Sequence, residues 1–189
     1  MLVSHKHKFI TISIPKTGTK SLRASLCTKD EHRDGKSNDS VIDIVGRYKD
    51  KTFTQHSSFL ECKKYMEDIN QDINSYFIFT VVRNPWDRYV SYMLYNNESL
   101  EKTIKTRYPQ SHYILNNDSL AVDQLAEFSN LQEEVNIFCD KVNINRVTLP
   151  HLNKSKREDY KTYYTEDLIE LVREKESKII DLMGYTYDE

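Results

Sequence analysis

The sequence predicts an α/β fold: one domain, residues 1–189, with a central, mostly parallel sheet flanked by helices. Three observations carry this. A short β-branched run at 8–14 (KFITISI) stops at Pro15 and gives way to helix formers at 19–27. A second run at 76–82 (YFIFTVV) is apolar on both faces, as a central parallel strand must be. It stops at Arg83-Asn84-Pro85, and a helical stretch follows through 86–95, with Pro85 suited to the first helical position. Strand, tight loop and helix, met twice, make the repeating unit of an α/β protein.

The other elements follow in order. Residues 28–40 (TKDEHRDGKSNDS) are polar and read as a surface loop. A short strand is expected at 52–55, then a helix to about residue 70 capped by Ser57 or Ser58, with Glu61 placed to close a capping box on Ser58. Residues 96–118 hold two Asn-Asn pairs and read as a long loop, or a loop with short helices. Residues 120–142 have a helical pattern, interrupted by a short strand near Phe128. The stretch 165–183 reads as one amphipathic helix that buries Leu168, Leu171, Val172, Ile179, Ile180 and Met183 and ends at Gly184.

Composition narrows the function classes. With 189 residues, 38% hydrophobic and 30% charged, the chain can build a single core. A net charge of −2 gives no sign of a nucleic-acid or membrane-surface partner. Charge is uneven, however: residues 1–60 carry 11 basic and 6 acidic side chains, residues 61–140 carry 7 and 13. The basic excess coincides with the first loop. Cys27, Cys62 and Cys139 are odd in number and lack a CxxC pair, so neither a disulfide framework nor a zinc site is expected. No run approaches the roughly 20 apolar residues of a membrane span, and the N-terminus lacks a signal-peptide core. These features read as cytoplasmic.

The first loop, PKTGTKS at 15–21, has the ingredients of a phosphate cradle. A strand feeds a turn containing Gly18, and the next helix directs its free N–H groups and positive dipole end at the same point. Lys16 and Lys20 add two cations, and Thr17, Thr19 and Ser21 add three hydroxyls. The loop is P-loop-like but not a Walker A loop: aligning Lys20-Ser21 on that motif puts Ile14 and Thr19 where its glycines belong. The second loop offers Arg83 at a strand end and Ser91 on the following helix, a rigid fork with a hydroxyl. Ligands of open parallel sheets bind beyond the carboxyl ends of the strands, where both loops lie. Two separate anion sites suit a nucleotide phosphorylated on both sides of its ribose.

PKTGTKSL followed by RNPWDRYVSY, with the tail LPHLNKSKREDYKTYYTEDLIELV…DLMGYTY, resembles the sulfotransferases that use 3′-phosphoadenosine 5′-phosphosulfate (PAPS), in particular their carbohydrate-type branch. The resemblance implies that Lys16 meets the bridging oxygen and the leaving phosphate. It implies that Thr17, Gly18, Thr19, Lys20 and Ser21 cradle the 5′-phosphate. Arg83 and Ser91 would take the 3′-phosphate, and Asn153, Lys154 and Lys156 lie in the tail segment that closes over the nucleotide in relatives. It further implies a hydroxyl acceptor, a carbohydrate in this branch, with PAP as the second product and no metal.

The general base of such a reaction is a His, Glu or Asp near the first loop. His56, at an expected strand end and at the place where the branch carries a His, is the candidate. Glu61 is the fallback, although a capping box explains it without catalysis. Trp86, Asp87 and Arg88 read as structural. The chain departs from the family at LAEFSNL (125–131), where relatives often flank the Phe with Arg and Glu and this chain has Glu127 and Ser129. The alternatives are a P-loop nucleotide kinase, disfavoured by the missing glycines and by Arg83 standing where a metal-binding carboxylate is expected, and a non-catalytic nucleotide-binding domain.

Overall fold

A computed structural model describes residues 1–27, 44–45, 54–150 and 157–188. The described residues of Met1–Val82 and Tyr113–Leu152 form one compact unit, and those of Arg83–His112 and Asn153–Glu189 another.

The first unit is built on a five-stranded sheet: β1 (Leu2–Ser4), β2 (Phe9–Ile12), β3 (Ile44–Val45), β4 (Phe77–Val82) and β7 (Gln124–Glu127), in the order β3-β1-β2-β4-β7. A separate two-stranded ribbon pairs β5 (Leu115–Asn116) with β6 (Ser119–Leu120). The two apolar runs are neighbours and parallel, with Ile12 opposite Thr80, and β7 extends the parallel half beyond β4. The expectation of a mostly parallel sheet needs correction on the other side. There β1 runs antiparallel to both β2 and β3, so the sheet is mixed. The turn at 5–8, closed by Lys8 at φ 52°, folds the N-terminal residues back as a hairpin.

Helix α1 (Thr19–Leu26) follows β2, and α2 (Phe59–Asp68) opens with the complete capping box of Ser58 and Glu61. Between them, the described part of the expected strand at 52–55 is not a strand: Gln55 and His56 sit in a turn. The expected strand near Phe128 lies earlier, as β7, and Phe128–Asn130 forms a single 3₁₀ turn before the next long helix, Leu131–Lys141. That helix delivers Val135, Phe138 and Cys139 to a core with Leu2, Phe9, Leu22, Leu26 and Phe79. The Phe138 ring lies 4.6 Å from Phe79 and edge-on to Phe9 at 5.1 Å, so the aromatic contacts add to the apolar area buried.

In the second unit, α3 (Pro85–Asn96) begins where the Asn84 side chain accepts from the N–H groups of Trp86 and Asp87, and it ends at Asn97 in a left-handed conformation. Helix α4 (Leu100–Thr106) follows, and the chain leaves through α5 (Ser111–Ile114), with the core helix Leu131–Lys141 then α6 in chain order. The expected single helix at 165–183 is two, α7 (Glu166–Lys175) and α8 (Ser177–Met183). The break falls at Glu176, whose carboxylate is fully buried on Arg88, at 2.8 Å. Of the expected stripe, Val172 and Ile179 are buried, while Ile169 takes the place read for Leu168. Trp86 is core, its indole N–H donating to the Ile169 carbonyl at 3.2 Å.

Candidate functional site

The first loop leaves β2 through Ser13 and Ile14, both buried, and turns with Lys16 at φ 71°. Gly18 follows at φ 82° as the cap of α1. A Cβ on Gly18 would lie 2.7 Å from Leu131 Cδ2 and 3.0 Å from the Phe128 ring, so glycine is required there both by conformation and by space. Phe128, the aromatic of the LAEFSNL segment, thus packs against this turn. Thr17 is fully buried, and its hydroxyl donates to the Ile14 carbonyl at 2.9 Å, which braces the loop from inside. Ser21 is buried as well; Lys16 and Thr19 are half-buried, and Lys20 is exposed. No acidic residue stands in the first turn of α1. The Ser21 and Leu22 N–H groups donate to the Gly18 carbonyl, while those of Thr19 and Lys20 have no acceptor four residues back in the helix, so the helix start presents positive potential.

His56 is brought to this loop. Its Nδ1 lies 2.7 Å from the Ser13 carbonyl oxygen, which can only accept, so Nδ1 carries the proton. Its Nε2 lies 3.1 Å from the Gln55 amide nitrogen, and the Gln55 oxygen accepts from Arg23 Nη1 at 2.5 Å. Because Arg23 can only donate, it fixes the amide with its NH₂ group toward His56. The imidazole is therefore a neutral ring with its lone pair on Nε2. Arg23 is itself held below the usual guanidinium range by burial. Ser13, Gln55 and Arg23 were not legible as site residues: one acts through its backbone, and the others lie on separate elements. Glu61 is occupied in the capping box, where it accepts from Ser58 N–H at 2.7 Å.

In the second unit, Arg83 follows directly on β4. Its Nε and Nη2 both meet Asp87 Oδ2, at 2.5 Å each, and the other Asp87 oxygen accepts from Arg157. Burial lowers the pKa of Arg83, and Asp87 opposes the shift. Asp87 thus gathers two guanidinium groups, and Ser91 is half-buried one turn further along α3. Arg88 is fully buried between Glu176 and the Tyr108 carbonyl, which makes it part of the framework. Asn153, Lys154 and Lys156 lie outside the described residues; Arg157, which sequence reading passed over, adjoins them.

Among the described residues no three His, Cys, Asp or Glu side chains gather as a metal-ligand group, and no helix is long and apolar enough to cross a membrane. Neither the curated proteins nor the solved structures give a match to this chain. The sequence model described as the sulfotransferase family matches residues 1–108, which include the first loop, His56, Arg83 and Ser91 and stop ahead of the tail. That is more than half of the chain and contains both loops in order. The chain belongs to the sulfotransferase family.

Proposed function

We propose that the chain is a PAPS-dependent sulfotransferase, a single domain over residues 1–189, that moves a sulfo group to a hydroxyl of a sugar, glycoconjugate or other alcohol. Family membership supports a sulfuryl-transferring enzyme and a hydroxyl-bearing acceptor. The observation that carries the finer reading is the neutral His56, with its basic nitrogen set beside a loop that favours an anion. The donor set also suits a phosphate group: the turn is pinched at Gly18, the first turn of α1 holds no acidic residue, and Lys16 and Lys20 flank it.

PAPS, when bound, supplies a sulfo group joined to a phosphate leaving group. His56 Nε2 takes the proton of the acceptor hydroxyl, while the Ser13 carbonyl, hydrogen-bonded to Nδ1–H, stabilises the imidazolium that forms. Lys16 would face the oxygen that bridges sulfur and phosphate and would meet the charge left there as the sulfo group passes to the acceptor oxygen. Lys20, Ser21 and the backbone of 17–19 hold the 5′-phosphate, with the Thr17 hydroxyl engaged inside the loop. Arg83 and Ser91 are assigned to the 3′-phosphate, and Asn153, Lys154 and Lys156 to closure over the nucleotide. No metal is needed in this scheme, because lysine and helix-end donors meet the developing charge. The free, buried cysteines suit a reducing compartment, and a cytoplasmic location is part of the proposal.

Thermal melting with PAP, ADP and ATP–Mg²⁺ tests this. A ligand of the folded state at a hundredfold over its Kd adds about 2.7 kcal/mol. The expected result is a shift with PAP that far exceeds the other two and collapses in Arg83→Ala. A shift with ATP–Mg²⁺ alone would favour a kinase and sink the proposal. Turnover of labelled PAPS with an alcohol acceptor separates an enzyme from a domain that only binds the nucleotide.

A further inference from the structure

We infer that Gln110 is the residue that positions Arg83 and so sets this chain's preference for a 3′-phosphorylated nucleotide; this rests on the role proposed above for Arg83. Gln110 is fully buried, 27 residues beyond Arg83 in the chain. Its side-chain oxygen accepts from the Arg83 N–H at 3.0 Å, and its side-chain nitrogen donates to the Arg83 carbonyl at 2.9 Å. The carboxamide thereby pairs with the Arg83 peptide groups as a neighbouring strand would, at the point where β4 has ended. Only a carboxamide offers an acceptor and a donor in that fork: a carboxylate lacks the donor, and an apolar side chain lacks both.

Gln110 is in turn held by charge. Its own N–H donates to Glu176 Oε2 at 3.0 Å, the other Glu176 oxygen accepts from Arg88 Nη1 at 2.8 Å, and Arg88 Nη2 donates to the Tyr108 carbonyl at 3.1 Å. The residue two places before Gln110 and the peptide N–H of Gln110 itself are therefore both fastened to one buried ion pair. The Arg83 guanidinium is fastened separately, on Asp87. Arg83 is thus fixed at both ends, the peptide by Gln110 and the fork by Asp87. In this arrangement Gln110 acts through Arg83, as a positioning residue.

PAP and AMP differ only in the 3′-phosphate, so the ratio of their dissociation constants reads the contacts assigned to Arg83 and Ser91, and Arg83→Ala isolates the share that belongs to Arg83. The full chain is measured by calorimetry as wild type, Arg83→Ala and Gln110→Met, with amide exchange at Arg83 followed by NMR without ligand. The wild type should favour PAP by about tenfold or more, as expected for a charged contact. Gln110→Met should narrow that ratio toward the Arg83→Ala value, leave AMP binding within about twofold, and speed exchange of the Arg83 amide. If Gln110→Met does not fold, Gln110→Glu, which keeps the acceptor and loses the donor, carries the same comparison. A folded variant that keeps the wild-type ratio, or weakens PAP and AMP equally, overturns the inference. A wild type that binds PAP and AMP alike overturns the nucleotide assignment itself, and that result is visible before any Gln110 variant is made.

Discussion

His56 Nδ1 sits 2.7 Å from the carbonyl oxygen of Ser13, the residue that follows β2 into the loop at 15–21. That contact holds the proton on Nδ1, and the Gln55 amide facing Nε2 helps to orient the ring. A side chain that keeps the bond without the base separates structure from catalysis. His56→Gln should fold as the wild type does and bind PAP nearly as well, with turnover reduced by about 10²–10⁴. Equal loss of PAP binding would make His56 a binding residue instead.

Gly18 leaves no room for a side chain. Gly18→Ala sets a methyl against Leu131 Cδ2 at 2.7 Å and keeps an unfavourable φ of 82°. A loss of about 2–3 kcal/mol is expected in urea denaturation. Adding Leu131→Ala should return the steric part, so the two changes will not sum. Additive losses would mean that the two residues do not touch.

The Arg88–Glu176 pair is fully buried, which makes its halves interdependent. Glu176→Ala strands a guanidinium in the interior and should cost about 3–5 kcal/mol. Replacing both, as Arg88→Met with Glu176→Leu, should recover a good part of that loss, because neither charge is then left alone. A double-mutant cycle by chemical denaturation measures the difference.

Alkaline stability follows from buried acids. Burial pushes the Cys62 thiol up from 9.0 to about 12, and it raises Tyr89 and Tyr164 above the usual phenol range. Folding holds these groups protonated, so their contribution is complete below the unfolded pKa and is lost as pH rises through the folded one. Unfolding free energy should fall between pH 9 and about 12, with up to about 4 kcal/mol from Cys62 at the upper end. Cys62→Ala should flatten that slope. Iodoacetamide should leave Cys62 unlabelled in the native protein and modify it after denaturation.

Local chemistry was legible in the sequence where it repeats over several residues. The runs at 8–14 and 76–82 became adjacent parallel strands, Pro85 opened its helix, and Ser58 with Glu61 made the capping box. Three residues, Leu2–Ser4, are too few to show a period, and the antiparallel half of the sheet was missed with them. The break at Glu176 has no local signal either: the residue is a good helix former, and only its partner 88 positions away makes it a buried anion. At the site, the loop and Arg83 could be read from their side-chain types. The fastening of His56 by Ser13, and of Arg83 by Gln110, could not, because each relies on a backbone atom far away in sequence.

Lys16 adopts φ 71°, a left-handed conformation that a lysine enters at a cost of about 1–2 kcal/mol and a glycine enters freely. The loop proposed to meet a leaving phosphate thus puts a cation at a left-handed backbone position. Selection for thermal robustness and selection for turnover pull in opposite directions there. Lys16→Gly should melt no lower than the wild type and transfer almost nothing, so a screen for stabilised variants of this protein would discard its chemistry first.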